Sequence, residues 1–172
     1  WLANCLYQLT KQKTDLFYEV IVVIEGNDDY EKIKNHYPNL RYFHKEKQYY
    51  AGAFAKDLGI EKAKSNYLCF WDDDNIYYEN ALNSLYEAAK GRDIGVVKAE
   101  IMGLDWRVIP EQAEICYSNI DTMCLCVRRT LAVKAKWSDH HGRGTDYYWV
   151  KKLLDHSPTI RFSDAIIGQH LN

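Results

Sequence analysis

Short apolar runs alternate with segments of helical periodicity through the first half of the chain. The opening residues predict a helix, because Trp1, Leu2, Leu6 and Leu9 recur at helical intervals. The pattern then predicts three strands and two helices, namely strands at 19–24, 40–44 and 67–71 and helices at 50–64 and 79–90. Strands joined by helices at this spacing indicate right-handed crossovers and a mainly parallel, mixed sheet flanked by helices. We therefore predict an α/β fold.

The second half of the chain is less regular and favours strands. Four further strands are predicted, at 94–101, 106–109, 122–127 and 166–170. A loop with glycine and histidine at 138–144 leads into a helix that is expected to begin with Thr145 as its N-cap. No repeat, low-complexity segment or linker interrupts the pattern, so we predict that residues 1–172 form one domain.

Three carboxylates directly follow the apolar run at 67–71, in the order Asp72, Asp73 and Asp74. Like charges this close repel one another at neutral pH unless a cation lies among them. Oxygen ligands suit a hard divalent ion such as Mg²⁺ or Mn²⁺, which typically also binds substrate phosphates. A simple acidic turn that caps the next helix is the alternative. Glu25 follows another predicted strand, and because ligands of such sheets bind at the carboxyl ends of strands, the two polar ends together favour a binding site.

Composition narrows the class of protein. The chain has 172 residues, of which 47% are hydrophobic, and this is enough for one core. A formal net charge of −2 argues against a general electrostatic attraction to nucleic acid. The sequence has no apolar run long enough for a transmembrane segment. Its five cysteines are an odd number without C-x-x-C spacing, which indicates reduced thiols and a cytoplasmic protein.

Four short motifs occur in the order that is found in one enzyme family. Residues 19–29 read E-V-I-V-V-I-E-G-N-D-D, residues 55–60 read A-K-D-L-G-I, and residues 70–74 read F-W-D-D-D. The fourth motif is Thr145-Asp146, at the start of the predicted late helix. Together, these motifs resemble those of the family 2 inverting glycosyltransferases, which have the GT-A nucleotide-sugar fold. The resemblance covers nearly the whole chain.

The resemblance implies an enzyme of polysaccharide biosynthesis that moves a sugar from a nucleotide sugar to a hydroxyl of a glycan or other acceptor. UDP is the expected nucleotide, because an acid after the strand at 19–24 suits the N3–H of uracil. Nucleotide-sugar binding would involve Glu25, Lys56, Asp72, Asp73 and Asp74. The implied cofactor is Mn²⁺ or Mg²⁺, held by Asp74 with Asp72 and His170 completing its coordination.

The resemblance also implies that Asp146 is the catalytic base, which would take the proton of the acceptor hydroxyl during inversion. The glycine-containing loop at 138–144 before it could act as a lid. The alternative is that Asp146 is only a helix-start acid, favoured there by the helix dipole. In that case the next candidates for the base are in the loop: Asp139, His140 and His141.

The chain departs from the family pattern at several positions. Ile24 and Thr145 each replace an acid, Asp57 replaces an asparagine, and Lys56 replaces an arginine, which keeps the charge but loses the planar fork. The family's first strand is absent as well, so we expect the natural protein to have an apolar strand upstream of residue 1.

Two other classes of function remain open at this stage. The departures from the family pattern are compatible with a non-catalytic module that binds a nucleotide sugar or glycan on the same scaffold. The spacing of Asp72 and Asp74 at a strand end also faintly resembles a phosphatase of the haloacid dehalogenase type, in which the first aspartate attacks phosphorus.

Overall fold

The computed structural model describes residues 1–26, 31–46, 52–103, 106–140 and 142–171. The helices in chain order are α1 (Leu2–Thr10), α2 (Glu31–His36), α3 (Ala53–Lys62), α4 (Ala81–Ala89), α5 (Arg129–Ala132) and α6 (Thr145–Leu154). The strands are β1 (Ile21–Glu25), β2 (Arg41–Lys45), β3 (Tyr67–Cys69), β4 (Ile76–Tyr77), β5 (Ile94–Met102), β6 (Arg107–Ile109), β7 (Leu125–Arg128) and β8 (Ile160–Leu171). Two 3₁₀ turns, Thr122–Cys124 and Trp137–Asp139, precede β7 and α6 respectively.

The described strands form two sheets. β1 and β2 pair in parallel as a two-stranded sheet, and the other strands form a mixed sheet in the order β3-β7-β5-β8-β4, with β6 also paired to β5. In this larger sheet, β5 and β8 run parallel, whereas β3–β7, β5–β7, β4–β8 and β5–β6 are antiparallel. The predicted α/β class with a mixed sheet is confirmed, but fewer pairs are parallel than expected. The reason is that β5, β6 and β7 follow one another without a helical crossover, which antiparallel neighbours do not need.

Most predicted helices and strands are present, with shifted ends. α4 buries Leu85 and Ala89 and stops before Gly91, whose φ of +75° is the left-handed conformation that commonly follows a helix. β8 begins at Ile160, well before the predicted strand at 166–170. Its pairing with β5 shifts register between Phe162 and Ile166, and the polar residues in that interval interrupt the apolar pattern.

The core consists of two clusters of buried side chains. The larger cluster surrounds β5 and β7 and includes Leu85 from α4 and Leu153 from α6. The smaller cluster joins α1 to β1 through Leu6, Val22 and Ile24. β1 and β3 each have one edge without a partner among the described strands, and between them lies a cavity of about 890 Å³. The polar residues at the ends of β1 and β3 line this cavity, so the fold brings the two strand ends to one place.

Two global features bear on the remaining expectations. All five cysteines are free thiols. Of the helices that the structure describes, none has both the length and the apolar composition required to cross a membrane.

Candidate active site

The acidic run lies where β3 ends, and aromatic contacts hold the end of this strand in place. Phe70 contacts Trp137 and Trp149 edge-on, each with a ring-centroid distance of 5.3 Å, and so joins the strand end to α6. Trp71 stacks on Tyr77 at 3.9 Å, and the Tyr77 hydroxyl accepts a hydrogen bond of 3.0 Å from the Asp72 amide. The backbone at Asp72 is therefore held in place by the aromatic contacts of the two preceding residues and by its own hydrogen bond to Tyr77.

Lys56 brings a buried positive charge to this acid. Its Nζ lies 3.1 Å from Asp72 Oδ1 and 3.5 Å from Thr122 Oγ1, and it is 5.0 Å from the centre of the Trp137 ring. Burial lowers the pKa of Lys56, but the carboxylates of Asp72, Asp146 and Asp121 raise it to a net value above the ordinary one. The ammonium group therefore remains charged, forms an ion pair with Asp72 and is further stabilised by the charges of Asp146 and Asp121.

Asp121 is a member of the site that the sequence analysis did not identify. Its side chain is only 12% exposed, and its pKa is raised to about 6, first by burial and then by the nearby Asp146 carboxylate. The His170 side chain and the Met123 amide act in the opposite direction. In sequence, Asp121 looks like an ordinary acid before a strand, and no local pattern indicates that Asp146 and His170 lie nearby.

Asn75 connects the acidic run to the C-terminal strand. It is almost fully buried, at 1% exposure, and its Oδ1 accepts a hydrogen bond of 3.3 Å from the amide of Leu171. The neighbouring His170 lies with its Nδ1 3.4 Å from Asp121 Oδ2. The structure therefore brings His170 into contact with an acid of the site, although its predicted partner for metal binding was Asp74.

Glu25 lines the cavity between β1 and β3, together with Lys56, Asp72 and Asp73. Its Oε1 is buried and makes no hydrogen bond to the described residues. A carboxylate oxygen left in this state costs free energy unless a ligand supplies the missing donor. This supports a binding role for Glu25. Asn27, which also follows the predicted strand at 19–24, lies outside the described residues.

The predicted metal ligands do not form a ready-made metal cage. In the described part of the chain, no group of three His, Cys, Asp or Glu side chains is arranged to hold a metal ion. Asp74 is exposed, whereas Asp72 is bound to Lys56. Burial and the charge of Asp74 raise the pKa of Asp73, so the run is electrostatically crowded. Carboxylates of this kind can contribute one or two ligands to a hard cation whose remaining ligands are phosphate oxygens and water.

Asp146 lies in the first turn of α6, as predicted. The expected N-cap Thr145 is wrong: Gly144, with φ of +77°, is the cap residue, and the Thr145 hydroxyl donates to the carbonyl of Gly142 at 2.8 Å. A side chain at position 144 would collide with the ring of Tyr117, so glycine is required there for both backbone and space. Trp149, one turn along α6, is buried against the aromatic residues beside β3 and thereby directs the start of α6 to the site.

The alternative candidates for the base have other partners. Asp139 forms an ion pair of 2.7 Å with Lys152, and His140 stacks on Tyr148 at 3.8 Å. His141 lies outside the described residues. Of the predicted loop and helix acids, Asp146 is thus the one whose charge acts on Lys56 and Asp121.

Known proteins resemble this chain in sequence or in fold. The family model described as "Glycosyl transferase family 2" matches residues 1–143. The glycosyltransferase GlyG of Streptococcus pneumoniae serotype 4 is 31% identical over 102 residues, which are 56% of this chain and 33% of GlyG. The crystal structure of S. aureus TarS 1–349 in complex with UDP has a TM-score of 0.74 at 16% identity and covers 100% of this chain and 56% of its own. The same TarS fragment in complex with UDP-GlcNAc has a TM-score of 0.67 at 13% identity and covers 100% of this chain and 55% of its own.

This chain matches only part of the length of GlyG and of TarS. The chain spans about a third of the length of GlyG and about half of the TarS chains. The likeness to TarS shows a shared fold, in agreement with the predicted GT-A architecture. Because the family model covers residues 1–143 of 172, the chain belongs to glycosyltransferase family 2.

Proposed function

We propose that this chain forms the nucleotide-sugar-binding and catalytic part of an inverting glycosyltransferase, which transfers a sugar from a UDP-sugar to a hydroxyl of a glycan acceptor. The observation that carries the proposal is the position of Lys56, which is ion-paired to Asp72, is acted on by the charges of Asp121 and Asp146, and lines the same cavity as Glu25. The Lys56 ammonium group can bind the diphosphate of the donor. The carboxylates can bind a metal cation and take the proton of the acceptor hydroxyl. The family assignment gives no support to the phosphatase alternative.

UDP is the proposed nucleotide. The TarS structures that share this fold contain UDP and UDP-GlcNAc. Oε1 of Glu25, which has no hydrogen-bond partner among the described residues, supports the same choice, because this oxygen can accept a hydrogen bond from the N3–H of uracil. The donor sugar and the acceptor glycan are not specified by any contact among the described residues.

A divalent ion, Mn²⁺ or Mg²⁺, fits the donor set at the end of β3. We propose Asp74 and Asp72 as its carboxylate ligands and His170 as an imidazole ligand. When bound, the ion would offset the negative charge that collects on the departing nucleoside diphosphate. Lys56, held by its ion pair with Asp72, supplies a second positive charge beside the diphosphate. Asp146 takes the proton of the acceptor hydroxyl on the face of the sugar opposite the leaving group.

Calorimetric titration tests this proposal directly. The purified protein is titrated with UDP, GDP and TDP, each with and without Mn²⁺, and release of UDP from UDP-sugars is measured in parallel. We expect UDP with Mn²⁺ to bind most tightly and Asp74→Asn to abolish the Mn²⁺-dependent part. Failure of all three nucleotides to bind would reject the proposal. Binding without transfer or hydrolysis would favour the non-catalytic module.

We also propose that an apolar strand upstream of residue 1 occupies the apolar part of the cavity between β1 and β3, and leaves the polar rim at Glu25, Lys56 and Asp72 open to the nucleotide. The cavity lies between two strand edges without partners in the described sheets, and unpaired edges are commonly covered in native proteins. In a longer clone, the backbone amides of β1 and β3 should exchange hydrogen more slowly than in residues 1–172. Equal exchange rates, with no strand-like segment upstream, would contradict this.

A reducing compartment such as the cytoplasm is the proposed location. The observation in support is that Cys69 and Cys126 occupy paired positions on β3 and β7 and yet are both free thiols.

A further inference from the structure

The two carboxylate oxygens of Asp121 have different partners. Oδ1 accepts a hydrogen bond of 2.9 Å from the amide of Met123 and thereby caps the 3₁₀ turn at Thr122–Cys124. Oδ2 lies 3.4 Å from Nδ1 of His170. The side chains of Asp121 and His170 are 12% and 27% exposed, so water has limited access to this contact. Oδ1 thus caps the 3₁₀ turn, whereas Oδ2 can accept a hydrogen bond from the imidazole.

His170 has a matching requirement. Its Nδ1 is buried and makes no hydrogen bond to the described residues, and a buried polar nitrogen in this state is costly. An ionised carboxylate can only accept, so Nδ1 would satisfy this requirement by carrying the proton and donating to Asp121. Nε2 is then unprotonated and keeps its lone pair, the form in which imidazole binds a metal.

We propose that Asp121 is a positioning residue for His170, which holds the imidazole in the Nδ1–H tautomer and leaves Nε2 free to bind the divalent ion of the nucleotide-sugar site. This inference rests on the proposed function, in which His170 is a metal ligand. Proteins commonly orient a metal-binding imidazole by a carboxylate on its other nitrogen. Asp121 acts through His170 and is not itself assigned a contact with substrate.

The surrounding backbone holds the two residues in this relationship. His170 pairs with Ile101 of β5, and the next residue, Leu171, is bound through its amide to the buried Asn75. Asp121 is held by its cap bond to Met123. Separate elements therefore hold Nδ1 and Oδ2 near each other, at the 3.4 Å found in the structure.

The simpler alternative is that Asp121 only caps the 3₁₀ turn. Asp121→Asn separates the two roles. The amide oxygen of asparagine can still accept from Met123, but the amide nitrogen that replaces Oδ2 can only donate. His170 would then accept at Nδ1 and carry its proton on Nε2. The turn keeps its cap, while the tautomer of the histidine is reversed.

The tautomer can be read from long-range ¹H–¹⁵N correlation spectra of the labelled protein under mildly alkaline conditions, with His170→Gln used to assign the signal. We expect the Nδ1–H form in the wild type and the Nε2–H form in Asp121→Asn. Asp93→Asn is the matched control, because Asp93 also accepts hydrogen bonds from backbone and side chains but lies at the opposite end of β5. An unchanged tautomer in Asp121→Asn would overturn the proposal.

Binding of Mn²⁺ in the presence of UDP provides the second measurement. Asp121→Asn should weaken Mn²⁺ binding by roughly 10–100-fold, and it should have no further effect in a His170→Gln background. Independent losses in the double variant would contradict an action through His170. A wild-type protein that does not bind Mn²⁺ with UDP would instead reject the proposed function, while the tautomer would still decide whether Asp121 holds His170.

Discussion

Asp57 on α3 is bound to Ser138 by two hydrogen bonds. Its Oδ2 accepts from the Ser138 hydroxyl at 2.5 Å and from the Ser138 amide at 3.1 Å, while its Oδ1 accepts from the amide of Trp137 at 2.8 Å. The preceding residue on α3 is Lys56. A single turn of α3 therefore fixes both the cation of the site and the 3₁₀ turn that leads to the loop before Asp146.

Replacing Asp57 should weaken this connection in a graded way. Asp57→Ala removes three hydrogen bonds to a charged acceptor, and we expect a loss of about 2–4 kcal/mol in the free energy of unfolding. Asp57→Asn keeps one acceptor oxygen and should lose less. Urea unfolding measures both, and hydrogen exchange at Trp137 and Ser138 should increase in the same order. Equal stability of the alanine variant and the wild type would show that these bonds contribute nothing.

Glu25→Gln should separate stability from binding. Because Oε1 of Glu25 is buried and has no hydrogen-bond partner in the part of the chain that the structure describes, loss of its charge should leave the free energy of unfolding unchanged or raise it by up to about 1 kcal/mol. UDP binding should weaken roughly 10-fold or more, since a hydrogen bond to a charged acceptor is lost. Calorimetric titration with UDP and GDP checks this. Equal losses for both nucleotides would point to ribose rather than uracil as the group that Glu25 contacts.

Glu19 should make stability depend on pH at acidic values. Burial raises the pKa of Glu19, but hydrogen bonds from the amides of Lys64 and Ser65 and from Arg41 lower it to about 2. Its ordinary value is near 4.3, so the unfolded chain takes up a proton at higher pH than the folded protein does. The stabilisation is therefore complete above about pH 5 and is lost as the pH falls toward 2.

Glu19→Gln should accordingly lower the free energy of unfolding by about 2 kcal/mol at neutral pH, after allowance for solvent screening of this part-exposed group. The difference from the wild type should shrink as the pH falls through the acidic range. Glu61→Gln is a suitable control, because Glu61 is exposed and forms its ion pair with the adjacent Lys62. A difference that stays constant from neutral to acidic pH would show that charge is not the cause.

The sequence predicted those parts of the site that follow from local pattern. The acidic run comes directly after an apolar strand, Lys56 belongs to a predicted helix between two strands, and Asp146 lies in the first turn of a helix after glycine. The partnership of Asp121 with His170 could not be predicted in this way, because it depends on the register of β8 against β5, in which His170 pairs with Ile101. Local spacing carries no information about that register. The antiparallel strand pairs were not predicted for the same reason, since the direction of a strand in the sheet is set by the packing of distant segments.

The first half of β8 is a second feature that the sequence pattern did not predict. The pattern indicated a strand only at 166–170, because the polar residues Ser163 and Asp164 interrupt the apolar run. In the structure they occupy the irregular interval where β8 shifts register against β5, and Asp164 is bound to Lys98 at 2.8 Å. A polar interruption that would end an isolated strand is thus tolerated where a bulge turns the side chains outward.

The assignment of Asp146 as the base is tested by comparing it with Asp139, an acid of the preceding glycine-containing loop. Asp146 acts electrostatically on Lys56 and Asp121, whereas Asp139 is paired with Lys152 at 2.7 Å. Asp146→Asn should bind UDP with Mn²⁺ almost normally and lose about 1 kcal/mol or less of stability, because helix-start acids contribute little. Its rate of sugar transfer should fall by roughly 10²–10⁴-fold, the usual contribution of a general base.

Asp139→Asn should retain nearly all transfer. Steady-state transfer assays, together with thermal unfolding and nucleotide titration of both variants, check this expectation. Near-normal transfer by folded Asp146→Asn, or a large loss in Asp139→Asn, would move the base into the loop.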